Sequence, residues 1–216
     1  MFDPFGYLSR FIPEPAIHKI IRVAMVLLLL CFLLHRGSQY RMFAVKALWL
    51  AETLLFVVLL VAYLFRSTPV NRARGSKEII VPLIGSAMPF LLLLSPPDAR
   101  VISDRALLHG LLWLMAAGTC LTVWGIWSLR RSFSITVEAR QLVTDGPYRL
   151  IRHPVYTGEG VAAVAVTAIR FSWLNLFLLA LFLTVQIWRS KMEEQKLAAV
   201  FPEHASFIGK SRWFWR

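Results

Sequence analysis

Charged residues are scarce in this chain of 216 residues: they make up 17% of the sequence, whereas hydrophobic residues make up 57%. Acidic residues are especially few, with 12 aspartates and glutamates against 24 lysines and arginines. Soluble domains carry more charge than this, and several apolar runs approach the roughly 20 residues that cross a bilayer. The composition excludes an ordinary soluble protein and predicts an all-α, polytopic integral membrane protein.

Cysteine is almost absent. Cys31 and Cys120 both lie inside apolar runs without polar neighbours, so we expect buried, inert thiols and no disulfide framework. The sequence also has no Gly-rich phosphate loop, no zinc-ligand spacing and no aromatic-basic nucleic-acid motif. Neither a metal site nor nucleic-acid binding is therefore predicted, and the net charge of +12 needs another explanation.

Six apolar runs predict about five to six transmembrane helices. They are Ile20–Leu34, Ala47–Phe65, Ile79–Leu94, Ala106–Trp127, Tyr156–Ile169 and Phe171–Trp188. The fifth run is short for a crossing and predicts the first arm of a tight helical hairpin. The chain accordingly divides into two parts. Residues 1–105 hold three N-terminal spans, and residues 106–216 hold a core of one span, a polar loop, the hairpin and a C-terminal helix.

Basic residues cluster in the segments between the apolar runs, which is where cytoplasmic loops of membrane proteins collect them. If the N-terminus is cytoplasmic, most of the 24 basic residues lie on the cytoplasmic side. The Arg36–Lys46 loop argues against this orientation, because its basic residues would lie on the other side. This orientation places the polar segment Arg130–Arg152 and the tail from Arg189 together on the cytoplasmic face. We expect an internal membrane, such as a bacterial inner membrane.

Two polar motifs bracket the hairpin. The first, GPYRLIRHPVYTGE, begins at Gly146 with a turn signal, and Pro154 suits the first turn of a helix, which leaves His153 near its cap. The second, RSKMEEQKLAAVFPEHASF, begins at Arg189, which has the i,i+4 spacing of a helical ion pair with Glu193. Each motif alone also fits an ordinary helix start or a solvated surface helix. The combination of the two motifs is a more specific indication of a functional site than either motif alone.

The helix that follows the first motif has a face of small residues, which lets another helix backbone approach closely. That face consists of Gly158, Gly160, Ala162 and Ala165.

These motifs together resemble the isoprenylcysteine carboxyl methyltransferase family, which is itself similar to phospholipid N-methyltransferases. The resemblance covers roughly Ala106 to Phe207 and includes the run RSFS from Arg131 to Ser134. It implies a helical membrane enzyme that binds S-adenosylmethionine in a pocket formed by the C-terminal half at the cytoplasmic face. The implied cofactor-binding residues are Gly146, Tyr148, His153, Tyr156, Glu193 and Glu194, with Arg149, Arg152 and Arg189 close by.

The same resemblance indicates which residues carry the chemistry. A carboxylate such as Glu193 or Glu194 can bind the ammonium or ribose hydroxyls of the cofactor. If the methyl acceptor is a carboxylate, Arg189 or Arg152 would orient it; if the acceptor is an amine, Glu194 is the candidate proton acceptor. The predicted catalytic residues are therefore Arg189, Glu194 and Arg152, and the expected substrate is a lipid or a lipidated small molecule, with carboxylate O-methylation favoured.

Two other functions are compatible with parts of the pattern. A sterol-type membrane reductase is similar in its hairpin and acidic motif but uses NADPH. A non-catalytic membrane scaffold or a transporter would need neither motif, and the inverted repeats of many transporters are not found in the sequence. The sequence also departs from the methyltransferase pattern after Glu194, with FPEH from Phe201 and an aromatic tail from Arg212.

Overall fold

The structure is a computed structural model that describes residues 7, 11–38, 40–42, 46–67, 69–73, 75–94 and 104–203. Within these ranges the regular structure is helical, apart from one β-bridge between Asn71 and Ala139. The α-helices are α1 (Glu14–Ser38), α2 (Lys46–Leu64), α3 (Lys77–Leu94), α4 (Arg105–Leu129), α5 (Pro154–Ile169) and α6 (Trp173–Val200). The predicted all-α class is confirmed; Phe207 and the aromatic tail lie outside the described residues.

Four of the described segments are long and apolar enough to cross a membrane: Lys19–Ser38, Lys46–Leu64, Arg105–Ser132 and Trp173–Val200. Helix α5 has only 16 residues, in keeping with the short predicted arm. Large apolar side chains such as Leu27, Trp113 and Phe177 are exposed on the outer surfaces of the helices. A soluble protein would not tolerate so many exposed apolar side chains, whereas lipid would cover them. The chain is an integral membrane protein; the five to six spans stay a prediction.

Helix α5 packs closely against α4 through glycines. A Cβ atom on Gly158 would lie 2.4 Å from Thr122 Oγ1 and 2.5 Å from the Gly118 carbonyl oxygen. A Cβ atom on Gly118 would meet the Gly158 carbonyl oxygen at 2.7 Å and the Ala162 nitrogen at 2.8 Å. The two backbones therefore approach as the small-residue face predicts, and this contact holds the start of α5 against the end of α4.

Helix α6 differs from the prediction in its length. The sequence predicts a span ending at Trp188 and a separate C-terminal helix, but the structure has one helix of 28 residues that ends at Val200. Its residues after Trp188 include neither glycine nor proline until Pro202, so nothing interrupts the backbone hydrogen bonds. The apolar part of α6 and its acidic residues, Glu193 and Glu194, therefore belong to one continuous helix.

The polar segment between α4 and α5 is fastened to the N-terminal half. Asn71 and Ala139 exchange backbone hydrogen bonds of 3.0 Å, and the Val137 N–H donates to the Glu78 carbonyl oxygen at 3.1 Å. The ammonium of Lys196 near the end of α6 also pairs with the Glu78 carboxylate. The N-terminal helices therefore support the segment that follows α4, in addition to anchoring the chain.

The two cysteines are free, and the expectation that they are buried is wrong. Cys31 on α1 and Cys120 on α4 are both exposed. Apolar residues in a membrane helix can face lipid instead of a protein core, so hydrophobic neighbours in sequence do not guarantee burial.

We predict that Gly158→Ala destabilises the protein by about 1–3 kcal/mol, because the added methyl group has no space at the α4–α5 contact. Gly110→Ala is the matched control on α4, since a Cβ atom there meets nothing within 4 Å. Thermal unfolding of the purified variants in detergent measures the difference. Equal unfolding temperatures for the two variants would contradict the close approach of the helices.

Candidate active site

A cleft opens where the end of α4, the following polar segment, the start of α5 and the last turns of α6 meet. Its apolar lining includes Leu129, Phe133, Leu142, Val143, Val155 and Leu197. Its polar lining includes Ser134, Thr136, Glu138, Arg140, Tyr148, Arg152, His153, Tyr156, Arg189, Glu193 and Glu194. The cleft thus joins an apolar surface to a dense set of charged and hydrogen-bonding groups.

The imidazole of His153 joins the two polar motifs. His153 precedes α5 and donates from Nε2 to Glu194 Oε1 on α6 at 3.0 Å. Arg152 Nη1 lies 3.8 Å from the same carboxylate oxygen. His153 is buried, while the side chain of Glu194 is 25% exposed, so this carboxylate lies at the boundary between the protein and the cleft.

A second contact between the same helices involves Tyr156 and Glu193. The Tyr156 hydroxyl donates to the Glu193 carboxylate, and the Tyr156 ring stacks on His153 with 5.6 Å between ring centroids. The guanidinium carbon of Arg189 lies 4.8 Å from the centre of the Tyr156 ring, and its Nε atom lies 3.7 Å from Glu193 Oε1. Arg189 is 4% exposed and donates from Nη2 to the Ile135 carbonyl oxygen at 2.9 Å. Arg189 therefore fixes the positions of Tyr156 and Glu193.

The turn before α5 brings Tyr148 into the cleft. Gly146 has a φ of +59°, and a Cβ atom there would lie 2.5 Å from Ser128 Oγ on α4, so both its conformation and its surroundings require glycine. Two residues later Tyr148 is 8% exposed. Its burial, reinforced by the negative charge of Glu193, raises the pKa of Tyr148, which keeps the phenol neutral and able to donate a hydrogen bond.

The wall formed by residues 132–143 was not predicted as part of the site. Its centre is Glu138, whose Oε2 atom accepts from Arg66 Nη2 at 2.8 Å and from Arg140 Nη2 at 2.5 Å. Burial alone would raise the pKa of Glu138, but the two guanidiniums outweigh burial and hold the pKa below its usual range. The signal that could have indicated this wall is the length of the segment after α4, which is unusual for a simple connection.

Seven of the predicted site residues line the cleft: Tyr148, Arg152, His153, Tyr156, Arg189, Glu193 and Glu194. Two do not. Gly146 packs against α4 two residues before Tyr148, while Arg149 is exposed and does not line the cleft. Direct contact of Gly146 with a cofactor stays a prediction.

The cleft can bind a small molecule that carries several charges. Carboxylates on α6 can hold cationic groups or hydroxyls, arginines can hold an anion, and apolar residues can cover a ring. The arrangement suits a reaction in which the protein positions two partners.

The comparison with protein families finds a match in the part of the chain that forms the cleft. Residues 107–204 match the family model described as phospholipid methyltransferase, a match that runs from the start of α4 through the polar segment, α5 and α6. No curated protein matches the chain. All the residues that line the cleft lie within this match, and the resemblance to membrane methyltransferases predicted from the sequence is confirmed.

Proposed function

We propose that the protein transfers a methyl group from S-adenosylmethionine to a lipidic or prenylated small acceptor, at the cytoplasmic face of its membrane. The observation that carries this proposal is the meeting of His153 with Glu194 and of Tyr156 with Glu193 at one cleft. The residues of these two pairs are 41 and 37 positions apart in sequence, respectively, and the family match includes all four.

The residues in the cleft fit S-adenosylmethionine. This donor combines a sulfonium, an ammonium, a carboxylate, ribose hydroxyls and an adenine ring. Glu193 and Glu194 suit the cationic groups and hydroxyls, the neutral phenol of Tyr148 can donate a hydrogen bond, and apolar residues such as Phe133 and Leu197 can cover the ring. When bound, the donor would supply a methyl group on positively charged sulfur. A nucleophilic atom of the acceptor would attack the methyl carbon in line with its bond to sulfur, and the sulfur would leave as a neutral thioether.

The protein contributes orientation and control of charge. Of the two candidate arginines, Arg152 is better suited to hold an acceptor carboxylate, because its side chain is 12% exposed, whereas Arg189 is buried and bonded to Ile135 and Ser86. An acceptor carboxylate is already ionised and needs no base. An acceptor amine would release its proton to Glu194, which His153 holds in position.

The acceptor reaches the cleft from the bilayer in this proposal. The cleft adjoins helices whose outer surfaces are apolar, so a substrate with hydrocarbon chains could keep them in lipid while its polar group reaches Arg152 and Glu194. The description of the matched family as phospholipid methyltransferase supports a lipid acceptor and keeps amine methylation as the second candidate.

We predict that the purified full-length protein binds S-adenosylmethionine and does not bind NADPH, as measured by isothermal titration calorimetry in detergent. Glu194→Gln and His153→Ala should each weaken donor binding by about tenfold or more, because hydrogen bonds to charged groups contribute about 1.5–3 kcal/mol. Glu203→Gln is the control, since it removes the same charge from an exposed residue outside the cleft lining.

Binding of NADPH with no binding of S-adenosylmethionine would instead identify a reductase. A protein that binds neither ligand, and whose His153→Ala and Glu194→Gln variants behave as wild type in cells, would be a scaffold.

We also predict the chemical class of the product. With donor labelled in the methyl group and membranes as the source of acceptor, the label should enter a lipid-extractable product and be released as methanol by mild alkali. Release by alkali is expected of a methyl ester, which is the favoured product. A label that resists alkali would exclude a methyl ester, and is the result expected of an amine acceptor.

A further inference from the structure

The wall of the cleft formed by residues 132–143 carries positive charge that the proposed roles do not use. Arg66 and Arg140 both pair with the same oxygen of Glu138, and the Ser134 hydroxyl donates to that oxygen at 3.1 Å. One carboxylate cannot neutralise two guanidiniums, so the cluster keeps an excess positive charge. Thr136 lies beside it, with its hydroxyl oxygen 3.1 Å from that of Ser134.

Of the two arginines in this cluster, Arg140 lines the cleft and Arg66 does not. The Arg140 side chain is only 1% exposed, and its Nη2 atom is the one that bonds to Glu138. Its Nε and Nη1 atoms are buried and have no hydrogen-bond partner among the described residues. Burial and the nearby charge of Arg66 lower the pKa of Arg140. The lowered pKa and the unpaired donors both indicate that the surroundings of this cation do not fully compensate its charge.

Unpaired buried donors are uncommon because each costs free energy that a hydrogen bond would offset. An oxyanion in this part of the cleft would supply the missing acceptor and the missing negative charge. Arg140 shares the Glu138 carboxylate with Arg66, whereas the other two arginines of the cleft lie beside different carboxylates, Arg152 near Glu194 and Arg189 near Glu193.

We propose that Arg140, beside the hydroxyls of Ser134 and Thr136, forms an oxyanion subsite that binds the carboxylate of the methyl donor. This inference rests on the proposed function, since it assigns one group of S-adenosylmethionine to one wall of the cleft. The acidic residues of α6 and Arg140 would then bind opposite charges of a single zwitterionic ligand.

The test compares S-adenosylmethionine with its decarboxylated form, which lacks only the carboxylate. Calorimetry with the full-length wild type should show that loss of the carboxylate weakens binding by about tenfold or more. In Arg140→Gln the two ligands should bind with equal affinity, close to that of the decarboxylated ligand for the wild type. Arg66→Gln is the matched control: it removes the other cation bonded to Glu138 but not a cleft residue, so it should keep the preference for the intact donor.

Thermal unfolding shows whether each variant is folded, and Arg140→Lys replaces Arg140→Gln if the loss of charge beside Glu138 prevents folding. Lysine keeps the charge but not the additional donors, so it should reduce the preference for the intact donor without abolishing it.

Equal binding of both ligands by the wild type would overturn the subsite while leaving the proposed function intact. Absence of binding by both would overturn the proposed function and the subsite together. An unchanged preference in Arg140→Gln, combined with weaker binding of a short-chain phospholipid, would assign the oxyanion to the phosphate of the acceptor and overturn the assignment to the donor.

Discussion

The architecture of the site depends on contacts between the start of α5 and the last turns of α6. His153 bonds to Glu194, and Tyr156 bonds to Glu193, so two helices that run through an apolar environment are joined by polar groups at one end. Polar and charged groups are costly beside hydrocarbon unless they pair, and here the pairs coincide with the cleft. The same contacts therefore stabilise the helix ends and arrange the functional groups.

A second constraint comes from the N-terminal half, which holds the polar segment after α4 in place. Its contribution includes the pairing of Arg66 with Glu138, the β-bridge between Asn71 and Ala139, and the pairing of Glu78 with Lys196. All three contacts are formed by the connection between α2 and α3 or the first turn of α3. The family model matches residues 107–204, so these N-terminal residues provide support from outside the matched region.

Much of the fold and of the site could be predicted because the physical signals are local. Apolar runs of membrane-spanning length indicate helices, and a face of small residues indicates the close contact at Gly158. The motifs around His153 and Glu194 resemble a known family, and their predicted meeting is observed at 3.0 Å.

The parts that could not be predicted depend on tertiary contacts or on lipid. Glu138 and Arg140 follow no periodic pattern in the sequence. The charged cluster that they form also includes Arg66, which is distant in sequence and reaches Glu138 only through the tertiary fold. The continuity of α6 past Trp188 was missed because a change from apolar to charged residues resembles a helix boundary, although no helix-breaking residue is present. The exposure of Cys31 was missed because apolar neighbours indicate a membrane helix without showing which side faces lipid.

The central claim is that two distant polar segments act as one donor-binding site, and a double-mutant cycle tests it most directly. Affinity for S-adenosylmethionine is measured for the wild type, Tyr156→Phe, Glu193→Ala and the double variant. Because Tyr156 donates to Glu193, each single change should remove the same interaction, and the double variant should lose little more affinity than the worse single variant. A coupling of about 1 kcal/mol or more is expected. Losses that simply add, or single variants that bind the donor as well as wild type, would contradict the account.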